Sequence, residues 1–464
     1  MAAATLTVAG CAAGPTYVAP QTPPATFEEA PVGALLGEPL EAAWWSQFGD
    51  PELDSLVRRA LGGDLDVRVA AARLTQARAL LSKSERARWP SAPVAISSQR
   101  QDAQIPGFGD RLGNDRIESD TYQAGLSVSW ELDFFGRARR GAQAARNDAQ
   151  AAEARLHDAQ VLVAAEVAST YIELRGAQKR LRVAQDNLVN LRETLRLTRV
   201  RYQLGRGDEL DVASAEARLD ATEADIPPLV AAERAAAHRL AVLLGERPGE
   251  LDAELEYVEM PPHLTTLAVG APEDLLRRRP DVRAAERELA AATARVGVAK
   301  ADLFPRVTLT GFLGFIAGDA SELGEAASRA WTTSPVLRWT GFDLGAQRAE
   351  LRVSEARVDE ALAVYERTVL GALEETQNAF VGYAQQRARL ASLVEQADAS
   401  HRAADLARVQ YREGALDFLR LLDAERTELE AADAVAAAEA QLNTSVVAIY
   451  KALGGGWEAA PPAA

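Results

Sequence analysis

The sequence predicts a mainly α-helical fold with a small share of β-strand, internally duplicated, and three observations carry that reading. The first is self-similarity: Arg199-Val200-x-Tyr202-x-x-Gly205 returns as Arg408-Val409-x-Tyr411-x-x-Gly414, and the offset of 209 residues holds without gaps from Gly136/Gly345 to Gly245/Gly454. The second is helix length. No proline interrupts residues 136–204, which as one helix would be about 100 Å long. The third is composition: aromatic residues are only 6% of the chain, and much of its 48% hydrophobic content is alanine, which suits closely packed helices better than a thick globular core.

Each unit reads as a helix, a β-hairpin, a long helix, a turn and a returning helix. The first occupies residues 64–245, with the hairpin at 91–131, the long helix at 136–204 and the return at 208–245; the second occupies 281–454, with the hairpin at 306–341, the long helix at 345–413 and the return at 417–453. The opening helices, 64–88 and 281–303, each stop at an aromatic-Pro pair, Trp89-Pro90 and Phe304-Pro305, because proline disfavours helix at the residue before it. In the hairpins the period changes to two. Val94 and Ile96, then Tyr122, Ala124, Leu126, Val128 and Trp130, alternate with other residues, as do Val307, Leu309, Gly311, Leu313 and Phe315. The Gly-rich, charged stretch 105–120 is expected as a loop, and a strand interrupted by Pro335 is expected between Trp331 and Trp339.

In the long helices Leu174, Leu181, Leu188, Leu195 and Tyr202 recur every seventh residue, with Ala184 and Leu191 between them, and Tyr383, Leu390, Ala397, Ala404 and Tyr411 repeat the pattern. Such a repeat makes a left-handed coiled-coil seam. Residues 12–63 are expected as an N-terminal arm with a first short helix, 246–280 as a linker and 455–464 as a tail.

The formal charge of −16 argues against a nucleic-acid surface, which needs clustered Lys and Arg. No window of about 18 uncharged apolar residues occurs, so any membrane crossing must be by strands or by an anchor. The single cysteine, Cys11, cannot form an internal disulfide. Val8-Ala9-Gly10-Cys11 closes an apolar opening with small residues and resembles the lipobox at which bacterial lipoproteins are cleaved and acylated, so residues 1–11 read as the end of a signal peptide with a lipidated cysteine. Ala12 stands where lipoproteins kept in the inner membrane carry Asp, which implies sorting to the outer membrane. His157, His238, His263 and His401 form no ligand spacing, and no nucleophile motif, phosphate loop or paired catalytic carboxylate stands out. The sequence therefore implies neither cofactor nor metal, and no enzyme.

Four strands cannot close a transmembrane barrel, since the smallest has about eight and an open edge is not tolerated in lipid. Helices of this length cannot bury their seams within one chain either. Oligomerisation follows on both grounds.

Four stretches then carry a resemblance. Trp44-Trp45-x-x-Phe48-x-Asp50-Pro51-x-Leu53-x-x-Leu56, Ile226-Pro227-x-Leu229, Leu243-Leu244-Gly245-x-x-Pro248, and Arg277-Arg278-Arg279-Pro280-Asp281-Val282-Arg283 through Leu303-Phe304-Pro305-Arg306 resemble the TolC-like outer membrane factors, in the lipoprotein branch of NodT or OprM type. The resemblance runs from Cys11 to about Gly454. It implies a homotrimer with a shared twelve-stranded β-barrel in the outer membrane and a twelve-helix α-helical barrel in the periplasm, with 246–280 as an equatorial linker. It also implies a passive duct for small molecules in an RND efflux system. The partners would be a periplasmic adaptor (membrane fusion) protein, an inner-membrane RND-type transporter and outer-membrane lipid.

The same resemblance singles out the turns at Tyr202, Gly205 and Gly207 and at Tyr411 and Gly414 as periplasmic tips that meet the adaptor. As bare chemistry these are helix C-caps. Asp211, Arg420 and Asp423 are expected to line the narrowest point, with Arg420 and Asp423 three apart on one helical face and able to pair; Ser214 is the first-half counterpart of Asp423. The position of the family's tip-latching arginine holds Leu416. Two rival readings differ in their strands. A lipid-anchored periplasmic adaptor would show one helical hairpin inserted between β-rich halves, and a structural coiled-coil lipoprotein would lack alternating segments.

Overall fold

The computed structural model describes residues 12–21, 30, 34–36, 38, 40–104, 116–251, 254–259 and 266–460. Cys11, with the lipidation expected on it, and His263 lie outside the described residues. The chain divides into two compact units, one of residues 1–20, 74–152 and 285–365 and the other of 21–73, 153–284 and 366–464.

The first unit holds a four-stranded antiparallel sheet. Its strands are β2 (Val94–Gln104), β3 (Arg116–Leu132), β5 (Arg306–Ala317) and β6 (Arg329–Arg338), in the order β2-β3-β5-β6. The period-two pattern sets the register. Val94, Leu126, Leu313 and Trp331 stand in one row across all four strands, flanked on the same face by Ile96/Ala124/Phe315 and by Trp130/Leu309/Pro335. The opposite face carries Ser97/Gln123/Ile316, Ser127/Phe312/Thr332 and Ser129/Thr310/Ser334, and is mainly polar. One face is therefore apolar yet solvent-exposed in the single chain, with Val94, Ile96, Leu313 and Trp331 all open. That is the reverse of a water-soluble sheet, which hides its apolar face.

Two sequence expectations are corrected here. Strand β3 begins at Arg116, inside the stretch 105–120 read as loop. Residues 116–120 escape an alternation test because their partners on β2, residues 100–104, are equally polar; Arg100 lies 3.3 Å from Glu118 and 3.8 Å from Asp120 across the ladder. Strand β6 is continuous through Pro335, because an edge strand tolerates a residue with no N–H to give.

The indoles of Trp130 and Trp339 each donate to the carbonyl at the end of the helix preceding their hairpin, Arg88 and Leu303 respectively, both at 3.1 Å. The arm ahead of the sheet is fixed as well. The Ala13 amide donates to Phe135 O at 2.9 Å, Arg140 donates to the carbonyls of Ala13 and Gly14, and the Tyr17 hydroxyl donates to Glu286 at 3.0 Å.

The second unit is helical apart from a short parallel pair, β1 (Ala34–Leu36) with β4 (Leu267–Gly270). Helix α1 (Pro51–Gly63) starts where Asp50 caps the amides of Glu52 and Leu53 and proline occupies the first turn. It leads into α2 (Leu65–Arg86). The motif around Trp44 is a core motif, since Trp44, Trp45, Phe48, Leu53 and Leu56 are all buried. Trp44 stacks on Tyr450 with ring centroids 5.2 Å apart and meets Trp45 edge-on at 5.6 Å. Trp44→Ala should therefore lower thermal or denaturant stability by about 3–5 kcal/mol. Unfolding followed by tryptophan fluorescence in detergent checks this, and a loss below about 1 kcal/mol would mean that the ring is not a keystone of this core.

The second unit gives the arginine run 277–279 a structural role. Short α5 (Pro272–Arg278) delivers Arg279 between α6 (Pro280–Ala301) and the end of the chain's last helix, α8 (Phe418–Ala452). Its guanidinium makes a two-pronged bond with Asp281 at 3.0 and 2.7 Å, reaches Glu375 at 2.9 Å and donates to the carbonyl of Ala452 at 2.7 Å. That carbonyl is one of the helix-end acceptors that lack a partner within the helix. Arg278 pairs with Glu458 at 3.0 Å, just past the same helix end.

Candidate functional site at the helix tips

Two long helices, α3 (Arg137–Gln203) and α7 (Gly345–Glu413), end in turns of one kind and return as α4 (Glu209–Leu243) and α8. At the first turn the Arg206 amide bonds Arg201 O at 2.8 Å and the Gly205 amide bonds Tyr202 O at 2.9 Å; at the second, Ala415 bonds Gln410 O at 2.9 Å and Gly414 bonds Tyr411 O at 3.0 Å. This closure needs a left-handed residue, which Gly205 (φ 66) and Gly414 (φ 78) supply. Asp208 and Asp417 then cap the returning helices, accepting from the amides of Asp211 and Arg420 at 3.0 Å each. The recurrence of Tyr-x-x-Gly-x-x-Asp in the sequence is thus a stop signal followed by a start signal.

The two tips are nevertheless unequal. Tyr411 is 5% exposed and Tyr202 is 46% exposed. Tyr411 sits with Leu195, Ala215, Ala407, Phe418 and Leu421 in a small core that draws on all four helix ends, and Leu416 packs against that core from its edge. The Tyr411 hydroxyl lies 3.3 Å from Thr198 Oγ1. Arg201, from the other hairpin, holds its guanidinium 4.4 Å from the Tyr411 ring centroid and donates to the Tyr411 carbonyl at 2.7 Å. A cation over a ring face and a charge-assisted hydrogen bond thus join the two tips at one residue. Sequence reasoning missed Arg201. The signal available was its asymmetry with Gln410, one offset away.

Arg420 and Asp423 are both exposed and line an open cleft of about 620 Å³ with Leu419, Ala424 and Thr427, closed on the α7 side by Ala399, Ser400 and Ala403. Within the chain they do not bond each other. Arg420 Nε pairs with Asp417 at 3.3 Å, and Asp423 pairs with Arg426 Nη2 at 2.7 Å. Spacing alone could not decide this, because each residue has two partners three positions away. Orientation decides it: an acid N-terminal to its base is the favourable order on a helix, and both observed pairs have it. Arg426, which also reaches Glu430 at 3.1 Å, was missed for that reason. Asp211 stands apart in the first turn of α4, half-buried like Ser214, and Gly207 lies beside it, with the Asp211 carboxylate 3.7 Å from where a Cβ on Gly207 would stand.

One cluster beside the tip was unforeseen. Glu425 on α8 is 1% exposed. It accepts from Thr194 Oγ1 of α3 and from Arg408 Nε of α7, both at 3.1 Å. Burial pushes its carboxyl above the ordinary glutamate value.

Comparison with known proteins gives this arrangement a family context. Residues 56–246 and 271–455 match the model of the family described as "Outer membrane efflux protein". Nodulation protein T of Rhizobium leguminosarum bv. trifolii is 33% identical over 425 residues, covering 91% of this chain and 89% of its own length. Outer membrane protein OprJ of Pseudomonas aeruginosa is 31% identical over 457 residues, covering 98% and 94%. Among solved structures, the outer-membrane channel OprN superposes with a TM-score of 0.92 at 48% identity, over 97% of this chain and all of that one.

Proposed function

Because the chain belongs to the outer membrane efflux protein family, we propose that three copies of it close one barrel in the outer membrane and one helical tunnel in the periplasm, with the tips described above as the tunnel's gate. The chain is the outer-membrane channel component of a tripartite efflux pump. The trimer, the lipid anchor and the gate are the further steps of this reading.

The observation that carries it is the sheet. It has an exposed apolar face, a polar face behind it and two unpaired edges, β2 and β6, and no helix among the described residues is long and apolar enough to cross a membrane. Strand β6 of one copy and β2 of the next run in opposite directions, so the edges can be joined without reversing a strand. Closure removes the edges, and the apolar rows then face lipid while the Ser, Thr and Gln rows face a hydrated lumen. The repeat in the sequence supports three chains standing as six similar units. The pinned arm at residues 12–17 supports a lipid on Cys11 held beside the sheet. In this reading the tips at Tyr202, Gly205, Gly207, Tyr411 and Gly414 meet the periplasmic adaptor, an inner-membrane RND-type transporter supplies the energy, and the duct itself has no catalytic step. Its cargo is chosen by the partners, because a wide wet lumen offers few contacts that discriminate.

Membrane fractionation tests this. The protein should appear in outer membranes as an oligomer that dissociates only on heating in detergent, and Cys11→Ser should abolish incorporation of labelled palmitate while leaving the oligomer intact. A monomer released into the soluble periplasmic fraction would overturn the reading.

A further inference from the structure

Just behind the tip, three helices meet at a carboxylate that is not fully satisfied. Glu425 Oε1 takes both hydrogen bonds offered, from Thr194 and Arg408, while Oε2 is buried with no hydrogen-bond partner. The groups facing it are few. Helix α3 contributes the Thr194 hydroxyl; α7 contributes Arg408, with Asp405 and His401 along the same face; α8 contributes Glu428. Arg408 is shared among Glu425, Glu428 and Asp405, the last at 3.1 Å. His401 Nδ1 lies 2.6 Å from Glu428, and its Nε2 lies 3.5 Å from Asp405. Three carboxylates thus face one permanent cation and one titratable ring.

The first half of the chain supplies an internal control. Arg199 and Glu216, one offset from Arg408 and Glu425, form the same bridge at 2.7 Å, but there the side chains are 55% and 45% exposed. Identical chemistry is solvated at one tip and sealed at the other.

We infer that Glu425, with Arg408 and Thr194, is a proton-responsive clamp that ties the α7–α8 hairpin to α3 and holds the tip shut as the pH falls. The inference rests on the reading of the tip as the gate. Any widening that moves the α7–α8 hairpin away from α3 must break the Thr194 bond and let water reach Glu425. The closed state therefore prefers the protonated carboxyl and the open state is indifferent to it.

Glu425 alone among these groups changes its surroundings on opening, and it sets the sign. Glu425 is raised in the closed state, chiefly by burial, so closure is favoured at low pH and loses that support as pH rises above the ordinary 4.5 and through the raised value. His401 is raised chiefly by its bond to Glu428, but both lie in the α7–α8 hairpin, so that shift is shared by the closed and open states and leaves the balance between them to Glu425. Acid should close the tip and mild alkali should loosen it.

The test is single-channel recording of the full-length protein in planar bilayers from about pH 5 to about pH 8. Wild type should conduct several-fold more at the upper end. Glu425→Gln, neutral throughout and of the same shape, should stay at the low-conductance level and flatten the profile. Glu216→Gln should titrate as wild type does. Thr194→Val, which removes a donor to the ionised form, should move the midpoint up by roughly half a unit to one unit. His401→Gln, whose partners move with it, should titrate as wild type does. A wild-type profile that is flat, or one that Glu425→Gln leaves unchanged, would overturn the clamp. If Arg201→Ala still raises conductance in the same preparation, the gate reading survives that loss; if it does not, both fail together.

Discussion

Replacing Gly314 by valine is expected to abolish the heat-modifiable oligomer, although valine is among the best strand formers. Gly125 and Gly314 stand directly opposite each other on β3 and β5. A Cβ at Gly314 would collide with the Ala124 carbonyl and lie 2.6 Å from Gly125 Cα, and one at Gly125 would lie 2.6 Å from the Leu313 carbonyl. These neighbours are backbone and cannot step aside without separating the two strands. The Phe312 ring occupies the remaining space, with Cζ 2.7 and 2.8 Å from the two missing Cβ positions. The ring lies across the glycine pair on the mainly polar face, an arrangement in which an aromatic side chain compensates for glycines in a sheet. Valine at Gly314 must displace both the ring and a strand, so β3 and β5 cannot keep their ladder, and the barrel proposed above could not close. Gly318→Val is the matched control, since nothing lies within 4 Å of its Cβ position. Heated and unheated samples of both variants from outer-membrane extracts decide the point; a normal oligomer for Gly314→Val would show that the pair is not the tight point of the sheet.

How far the fold could be read from sequence depends on whether each choice is local. The apolar rows of the sheet follow from period two, and the tips follow from Gly at the stop and Asp at the start, because these are properties of a few consecutive residues. The polar run at the start of β3 is hidden because its partner lies on β2, with Arg100 reaching Glu118 and Asp120, 18 and 20 residues further on. Tyr202 and Tyr411 lie in nearly identical local sequence, yet one is open and the other sealed. What separates them is Arg201 and Thr198 reaching across from the opposite hairpin to Tyr411. Burial of Glu425 but not Glu216 has the same origin. A repeated sequence encodes repeated elements, while the differences between copies are written in contacts that the repeat itself does not contain.

Those differences make the tip's strongest link a specific one, and Arg201→Ala is expected to raise single-channel conductance more than any change at Arg420 or Asp423. Arg420 and Asp423 are solvated and each is paired within its own helix, so solvent screening leaves such pairs little to contribute. Alanine at both should raise conductance modestly, chiefly by clearing side chains from the cleft they line. Arg201 instead bridges two hairpins, through the Tyr411 ring at 4.4 Å and the Tyr411 carbonyl at 2.7 Å. A cation over an aromatic face and a hydrogen bond from a charged donor are together worth about 2–3 kcal/mol. If opening parts the hairpins, losing that link shifts the closed-to-open equilibrium by roughly 30- to 150-fold. Arg201→Lys separates charge from geometry. Lysine keeps the cation but cannot both cover the ring and reach the carbonyl as a planar guanidinium does, so it should fall between wild type and alanine. Tyr411→Phe, which loses the hydroxyl near Thr198 but keeps the ring and carbonyl, should stay close to wild type. Conductance unchanged in Arg201→Ala would place the constriction elsewhere, whereas an equal rise for Arg201→Ala and Tyr411→Phe would mean that the tip core rather than the cation holds it shut.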